Sequence, residues 1–323
     1  MNYIKMSPLT GMVGYGGGGT GLTFNSVGGP KWYGDRALWG GGNLDGSGRS
    51  NIINYVAVSS ASNASDFGDL QSSKKWVTGA AGGGVGLFFG GDDGSRTNEI
   101  DQVTISTPAN ATDFGNLTNA TEMGIAVSDA TIGVFGNGIT NSGATNALYK
   151  VTFATASNTS TWGGNSTEEG HYSGGGCSDG IWGLFAGGGG AQNGEIHYFT
   201  FATEANANDF GNLQRRKAEI GGSSDDTIGL FFGGNRNGLF DEIDKVTIQT
   251  TANASDFGNL LQSTAQGAAS GNKDRALHGG GTIVGGDKTN VISYNTYSSA
   301  SNATDFGDLT YSPAQMPAGF AGD

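Results

Sequence analysis

The sequence is poor in residues that cross-link a chain, break secondary structure or carry positive charge. Among 323 residues there are one cysteine and five prolines, which excludes an intrachain disulfide, a collagen-like chain and a proline-rich linker. The 16 Lys and Arg are outnumbered by 29 Asp and Glu, giving a formal net charge of −13. Nucleic acids and anionic membranes both attract basic surfaces, so we predict neither as a partner.

Long apolar runs are also missing. No stretch approaches the roughly 20 apolar residues of a membrane helix, and residues 1–11 lack the apolar core of a signal peptide. We therefore predict a protein that is made in a cytoplasm and is not inserted into a membrane. Hydrophobic residues still make up 36% of the chain and cluster in short runs, which is typical of a folded domain.

What the sequence has in abundance is glycine, with 61 residues, and an internal repeat. The string Asp-Phe-Gly, followed by Asp or Asn and then Leu, occurs five times, and a sixth copy has Thr-Trp in place of Asp-Phe. The copies are 47–49 residues apart, too regular a period to arise by chance. The aromatic anchors of the six copies are Phe67, Phe114, Trp162, Phe210, Phe257 and Phe306.

Each anchor has the same upstream surroundings. An Asn precedes it by four residues, and apolar residues precede it by nine and usually by eleven, which indicates a strand with one buried face. Further upstream is an apolar run ending in glycine, which makes Trp39, Phe89 and His278 equivalent when the glycines are aligned. Four short strands per repeat predict the blade of a β-propeller. We predict an all-β, six-bladed propeller of four-stranded blades over residues 35–323, closed by pairing of the last strand with residues 36–42.

The glycine pair after an apolar run, as in residues 87–91, followed by an amphipathic strand and an aromatic-glycine pair, resembles kelch repeats. The resemblance covers residues 36–322. It implies a β-propeller and says little about function, because that fold serves many functions.

Residues with catalytic chemistry do not form a recognisable set. The repeated Asp and Asn are interpreted as turn formers, because an active site normally breaks the symmetry of a repeat. His171, Tyr172 and Cys177 are close in sequence, but a copper site is disfavoured because the histidines belong to different kinds of strand. We predict no catalytic residue, no metal site and no cofactor.

Asymmetry is found in the segments that link the second and third strands of each repeat: 43–50, 92–97, 138–145, 188–194, 235–240 and 282–289. Their Gly, Asn, Ser and Thr suit hydrogen bonding to a polar partner such as a glycan, although drift of unconstrained loops explains the variation equally well. The candidate binding residues are Asp45, Arg49, Asp92, Arg96, Asn141, Asn193, Arg236, Asn237 and Lys288.

Residues 1–34 lie outside the repeat and form a glycine-rich N-terminal arm, interpreted as an attachment or assembly segment. The Asn-Ala-Xaa-Asp-Phe-Gly strings and the opening residues 7–12 resemble repeat-containing structural proteins of tailed bacteriophages, especially those of marine phages. The resemblance implies a virion component, tail or fibre associated, with the arm docked to other virion proteins and the propeller displayed outward. Homo-oligomerisation is left open.

Three functions follow as hypotheses. The first is a non-enzymatic virion protein whose varied loops bind a host-surface glycan or another virion protein. The second is a purely architectural decoration of the capsid or tail. The third, a carbohydrate-active propeller enzyme, requires a cluster of acidic residues or a metal that the sequence pattern does not reveal.

Overall fold

The structure is a computed structural model that describes residues 34–44, 48–166, 171–189, 194–312 and 317–322. Regular structure in these ranges is entirely β, as predicted, with 29 strands and no helix. No helix in the described part of the chain is therefore long and apolar enough to cross a membrane. Residues 1–33, which make up almost all of the predicted arm, lie outside the described residues.

The strands are short, mostly of four to six residues. In chain order they are β1 (Arg36–Gly40), β2 (Ser50–Ala57), β3 (Ser65–Lys74), β4 (Thr78–Gly82), β5 (Val85–Phe89), β6 (Glu99–Thr104), β7 (Thr112–Asn116), β8 (Thr121–Glu122), β9 (Ile125–Ser128), β10 (Ile132–Gly136), β11 (Ile139–Thr140), β12 (Gly143–Ala144), β13 (Ala147–Thr152), β14 (Ser160–Asn165), β15 (Gly175–Ser178), β16 (Trp182–Ala186), β17 (Glu195–Thr200), β18 (Asn208–Asn212), β19 (Gly221–Ser224), β20 (Ile228–Phe232), β21 (Glu242–Thr247), β22 (Ser255–Asn259), β23 (Thr264–Ala265), β24 (Ala268–Gly271), β25 (Arg275–Gly279), β26 (Thr282–Ile283), β27 (Val291–Thr296), β28 (Thr304–Asp308) and β29 (Ala318–Gly322).

Twenty-four of these strands form six four-stranded antiparallel sheets. Sheet 1 has the order β29-β1-β2-β3, and sheet 2 the order β4-β5-β6-β7. Sheet 3 is β9-β10-β13-β14, sheet 4 is β15-β16-β17-β18, sheet 5 is β19-β20-β21-β22 and sheet 6 is β24-β25-β27-β28. The other five strands form two small sheets, β8-β11-β12 and β23-β26, beside sheets 3 and 6.

The first strands of the six sheets contact one another in an order that closes on itself. β29 contacts β4, β4 contacts β9, β9 contacts β15, β15 contacts β19, β19 contacts β24, and β24 contacts β29. The crowding explains their small residues: a Cβ on Gly222 of β19 would lie 2.4 Å from the Gly176 carbonyl oxygen of β15. Only a residue without a side chain allows backbones to approach so closely.

Each pair of neighbouring sheets shares one hydrophobic cluster, and each anchor lies in one of them. Phe67 of sheet 1 packs with Val103 and Ile105 of sheet 2, and Phe306 of sheet 6 packs with Val56 and Val58 of sheet 1. All six anchors are buried, at 0–3% exposure. Five second strands add an aromatic side chain to a cluster shared with the preceding sheet. These residues are Trp39, Phe88, Phe135, Phe185 and Phe231.

Strand register corrects one alignment made from the sequence. Trp39 pairs with Asn54, Phe88 with Asp101 and His278 with Ser293, so the equivalent of Trp39 is Phe88. The alignment with Phe89 is wrong by one residue, because Phe89 pairs with Ile100 as the glycine Gly40 pairs with Ile53. Burial lowers the pKa of His278, the only histidine at this position, to about 4.

The repeated Asn does more than form a turn. Its Oδ1 accepts a hydrogen bond from a backbone N–H of the preceding sheet, with donor–acceptor distances of 2.9–3.1 Å at all six junctions. The same donor residue returns a bond through its carbonyl, as when Asp69 accepts from the Ala111 N–H at 2.7 Å. The donor and acceptor pairs are Asp69–Asn110, Asn116–Asn158, Asn165–Asn206, Asn212–Asn253, Asn259–Asn302 and Asp308–Asn63.

The first and last strands of the described chain meet in sheet 1, as the sequence predicts. β29 pairs with β1 in antiparallel register from Gly322 opposite Arg36 to Ala318 opposite Gly40. The Phe320 ring of β29 contacts the Phe88 ring of sheet 2, with centroids 4.8 Å apart. β29 therefore completes sheet 1 and also packs against its neighbour.

Gly115 and Gly94 offer a matched pair of substitutions that separates backbone strain from sheet contact. Their φ angles are 146° and 141°, but a Cβ on Gly115 would lie 2.4 Å from the Ser157 carbonyl oxygen, whereas a Cβ on Gly94 meets nothing within 4 Å. Gly94→Ala should cost about 1–3 kcal/mol of strain. Gly115→Ala should lower the free energy of unfolding by a further ~1–3 kcal/mol or more.

Denaturant unfolding of both variants measures the difference. Equal losses would show that the sheets do not depend on close contact at the Asp-Phe-Gly glycine.

Candidate functional site: the loop face

Antiparallel order places the connections of each sheet alternately at its two ends. The described residues of the loops between second and third strands (43–44, 48–50, 92–97, 138–145, 188–189, 194, 235–240 and 282–289) emerge together with those of the links to the next sheet, and we term this the loop face. The turns between first and second and between third and fourth strands emerge on the opposite side, the turn face.

Several turns of the turn face share one self-bonded geometry. Four of its turns have an Asp or Asn side chain whose Oδ1 accepts the backbone N–H groups two and three residues later, at 2.6–2.9 Å. Such self-bonded turns are specified locally and tolerate little change. The four residues are Asp129, Asp179, Asp225 and Asn272.

Three of the candidate binding residues join neighbouring loops. Arg49 of sheet 1 places Nη2 2.7 Å from Oδ1 of Asp92 in sheet 2, and Arg96 places Nη2 2.9 Å from Oε1 of Glu122 in the next link. Burial alone would raise the pKa of Asp92. The hydrogen bonds from Arg49 and Gly94 and the charges of Arg49 and Lys75 together outweigh burial, so the net effect is a pKa below the usual value. At Glu122 the effect of burial is larger than the opposite effect of the Arg96 charge, so the pKa of Glu122 is raised above its usual value. These pairs fix one loop against the next.

The other described candidates lie in loops of the same face. Asn141, Arg236 and Asn237 are exposed, and Asn237 has a φ of 59°, in the left-handed region. Lys288 is half-buried and pairs through its backbone with Thr282. Asp45 and Asn193 lie outside the described residues.

Beneath the loops, three positions recur in sheets 2 to 6. The link position lies four residues before the start of each first strand, and its carbonyl accepts a backbone hydrogen bond from a glycine of the preceding sheet's loop. The two strand positions are the first and third residues of the third strand. Link positions are Lys74, Thr121, His171, Lys217 and Thr264; first positions are Glu99, Ala147, Glu195, Glu242 and Val291; third positions are Asp101, Tyr149, His197, Asp244 and Ser293.

In sheets 2 and 5 these positions hold buried ion pairs. Lys74 Nζ lies 2.9 Å from Asp101 Oδ2 and 3.0 Å from Glu99 Oε2, and Lys217 Nζ lies 2.7 Å from Asp244 Oδ2. The lysine and aspartate side chains are at most 1% exposed. Glu242 pairs instead with Arg215, at 2.8 Å. Buried charges of this kind must be paired to be tolerated.

In sheet 4 the same positions hold two histidines and a glutamate. His197 Nε2 lies 3.2 Å from Glu195 Oε2, and the His171 and His197 rings are 5.2 Å apart between centroids. His171 Nδ1 lies 3.1 Å from the Gly187 carbonyl oxygen. Burial, followed by the charge of His171, lowers the pKa of His197 to about 4, so that this ring is neutral at pH 7.

Sequence reasoning missed this group. It considered His171 together with its sequence neighbours Tyr172 and Cys177, whereas the structure brings His171 to His197 of another strand. Cys177 is buried in β15, and burial raises the pKa of its thiol. The available signal was an alignment of the link and third-strand positions, where sheet 4 has two histidines at the places that hold Lys and Asp in sheets 2 and 5.

Comparison with known proteins adds no family. No protein-family model matches the chain, and no curated protein matches it significantly.

Lys217→Met should be strongly destabilising because it leaves Asp244 buried without its ammonium partner. The expected loss is about 3–5 kcal/mol of unfolding free energy, and the double variant Lys217→Met/Asp244→Leu should recover much of it. Lys150→Met, which removes an exposed pair with Glu204, is the matched control and should cost at most about 1 kcal/mol.

Chemical denaturation of the four proteins, wild type included, provides the comparison. A Lys217→Met protein as stable as the Lys150→Met protein would contradict the ion-pair interpretation.

Proposed function

We propose that the six sheets are the blades of a single six-bladed β-propeller, kelch-like in its repeats, that extends over residues 35–323. The proposal is supported by the closed order of contacts among the first strands and by six hydrophobic clusters that each join two consecutive sheets. It is also supported by the pairing of β29 with β1, which leaves the first sheet complete. Ring closure of this kind protects sheet edges from pairing with other chains.

The propeller is proposed to act as a non-enzymatic component of a tailed-bacteriophage virion, tail or fibre associated, that binds a host-surface glycan through the loop face. The observation that carries the binding role is the contrast between the two faces. Four turns on one face share the same self-bonded geometry, while loops on the other differ in length and side chains. Variable loops on a rigid scaffold are where binding residues concentrate.

The chemistry of the loop face suits a polar, uncharged or acidic glycan. Asn141, Arg236 and Asn237 expose amide and guanidinium groups that hydrogen-bond hydroxyl and carboxylate oxygens. The Arg49–Asp92 and Arg96–Glu122 pairs hold loops of neighbouring sheets in place. A surface ordered before binding loses less conformational entropy when a ligand arrives.

The virion role is proposed on the resemblance of the repeats to phage structural proteins, with residues 1–34 as the segment that docks to other virion proteins. A loop face that contacts another virion protein, or a purely architectural decoration, are the alternatives to glycan binding. No specific contact among the described residues favours either over a glycan.

Glycan binding predicts a face-specific effect of mutation. The labelled full chain is applied to an array of bacterial lipopolysaccharide and capsular polysaccharides. We expect binding to a subset of them, weakened at least about tenfold by Asn141→Ala/Arg236→Ala/Asn237→Ala, which removes several hydrogen bonds. The matched control Thr107→Ala/Thr155→Ala/Thr250→Ala alters exposed residues of the turn face and should bind like wild type.

Absence of binding to every polysaccharide, or equal weakening by both triple variants, would overturn glycan recognition by the loop face. We expect the chain length of free polysaccharide to be unchanged after incubation with the protein, since no hydrolysis is proposed.

The virion assignment predicts the place of the protein in a particle. Mass spectrometry of purified particles from the phage that encodes the chain should detect it in stoichiometric amounts. A variant lacking residues 1–34 should be synthesised and folded but absent from those particles. Incorporation of the shortened chain at normal levels would rule out docking through the arm.

A further inference from the structure

We propose that His171, Glu195 and His197 of sheet 4 form a binding site for a divalent transition-metal ion, with Zn²⁺ as the best-matched ion. The described residues contain one group of three metal-ligand side chains in close proximity, and these three form it, with one ligand atom from each lying within 4.8 Å of the others. Two imidazoles and a carboxylate are a ligand set that zinc takes in proteins, where water or substrate completes the coordination.

The distances suit coordination. A tetrahedral ion with bonds of about 2.1 Å holds its ligand atoms roughly 3.4 Å apart. His197 Nε2 and Glu195 Oε2 already lie 3.2 Å apart. A small movement of the His171 ring, whose centroid is 5.2 Å from that of His197, completes the set.

The protonation of His171 is set by its backbone contact. A carbonyl oxygen only accepts hydrogen bonds, so the 3.1 Å contact with Gly187 requires the proton on Nδ1. In the neutral ring the lone pair is then on Nε2, the atom that binds metals. A hydrogen bond from the other ring nitrogen to a carbonyl is the usual second partner of a metal-binding histidine, because it fixes the ring orientation.

The equivalent positions in other sheets support a cation at this place. Sheets 2 and 5 bury a lysine ammonium here, 2.7–2.9 Å from an aspartate of the third strand. Glu99 and Glu242, the counterparts of Glu195, contact Lys74 and Arg215. In sheet 4 the lysine is replaced by His171 and the aspartate by His197. A metal ion bound by these histidines would occupy the place that the lysine ammonium fills in sheets 2 and 5.

Two buried imidazoles make the site selective for a metal that takes nitrogen ligands. His171 and His197 are 4% and 3% exposed, and the Glu195 side chain is 28% exposed. The carboxylate is thus the part of the group nearest solvent. Hard cations such as Ca²⁺ and Mg²⁺ prefer six or more oxygen ligands and are not matched by two imidazoles.

The test uses the purified full chain stripped of metal, with Zn²⁺ titrated by calorimetry and Co²⁺ by its visible absorption spectrum. We expect one ion per chain and an increase in melting temperature on addition of zinc. Ca²⁺ should produce neither effect.

Two variants provide the comparison. His171→Lys/His197→Asp rebuilds the ion pair of sheets 2 and 5, so it should fold, yet it should bind zinc at least about 100-fold more weakly because two of the three ligands are lost. His278→Phe removes the remaining histidine and introduces the residue found at the equivalent Phe88 and Phe231, so it should bind zinc like wild type.

Absence of zinc binding by the wild-type chain would overturn the proposal. So would a zinc affinity of the double variant equal to that of wild type, or loss of binding in His278→Phe alone. Melting temperatures of the metal-free variants, measured alongside, show that each protein is folded, and a double variant that does not fold is replaced by the single variant His197→Asn.

Discussion

Close approach of neighbouring sheets at the Asp-Phe-Gly string is the constraint on which the rest of the structure depends. At each junction one hydrogen bond to the Asn side chain and one backbone hydrogen bond join the outer strand of one sheet to the turn of the next. The residue after the aromatic anchor must be glycine, because a Cβ on Gly115 would lie 2.4 Å from the Ser157 carbonyl oxygen. The anchor ring fills the space that this contact encloses, as Phe67 does against Val103 and Ile105. Backbone contact and aromatic packing thus require each other.

The fold could be predicted largely from the sequence because its determinants are local and repeated. Alternating apolar residues such as Val103 and Ile105 indicate a buried strand face. Because the pattern occurs in six copies, a copy that departs from it at one position does not obscure it. Strand register was harder to predict from the sequence. The alignment of Trp39 with Phe89 failed because sheet 2 has an aromatic residue where sheet 1 has the strand-ending Gly40, and only the pairing of Phe88 with Asp101 reveals this.

The site was harder to predict because its chemistry arises from contacts between segments that are distant in sequence. Arg49 and Asp92 were both named as candidate ligand-binding residues, but nothing in the sequence indicates that they pair with each other across 43 residues. His171 and His197 belong to a link and a strand that meet only when sheet 4 forms. In each case a repeat-by-repeat alignment reduces the number of residues that could be partners, while the actual partner depends on three-dimensional packing of the loop face.

The independence of the junctions from the loop residues has a consequence for how the protein can change. Each junction joins a residue of a fourth strand to an Asn in a turn of the next sheet, so none of its hydrogen bonds involves a loop between second and third strands. The connection from Gly136 to Leu148 is one residue longer than the connection from Phe89 to Ile100, yet the two pairs occupy equivalent positions in their sheets. Insertions and deletions in the loops are therefore absorbed without altering any sheet junction. The loops can diversify rapidly under selection for new partners while the sheet junctions remain a constant frame.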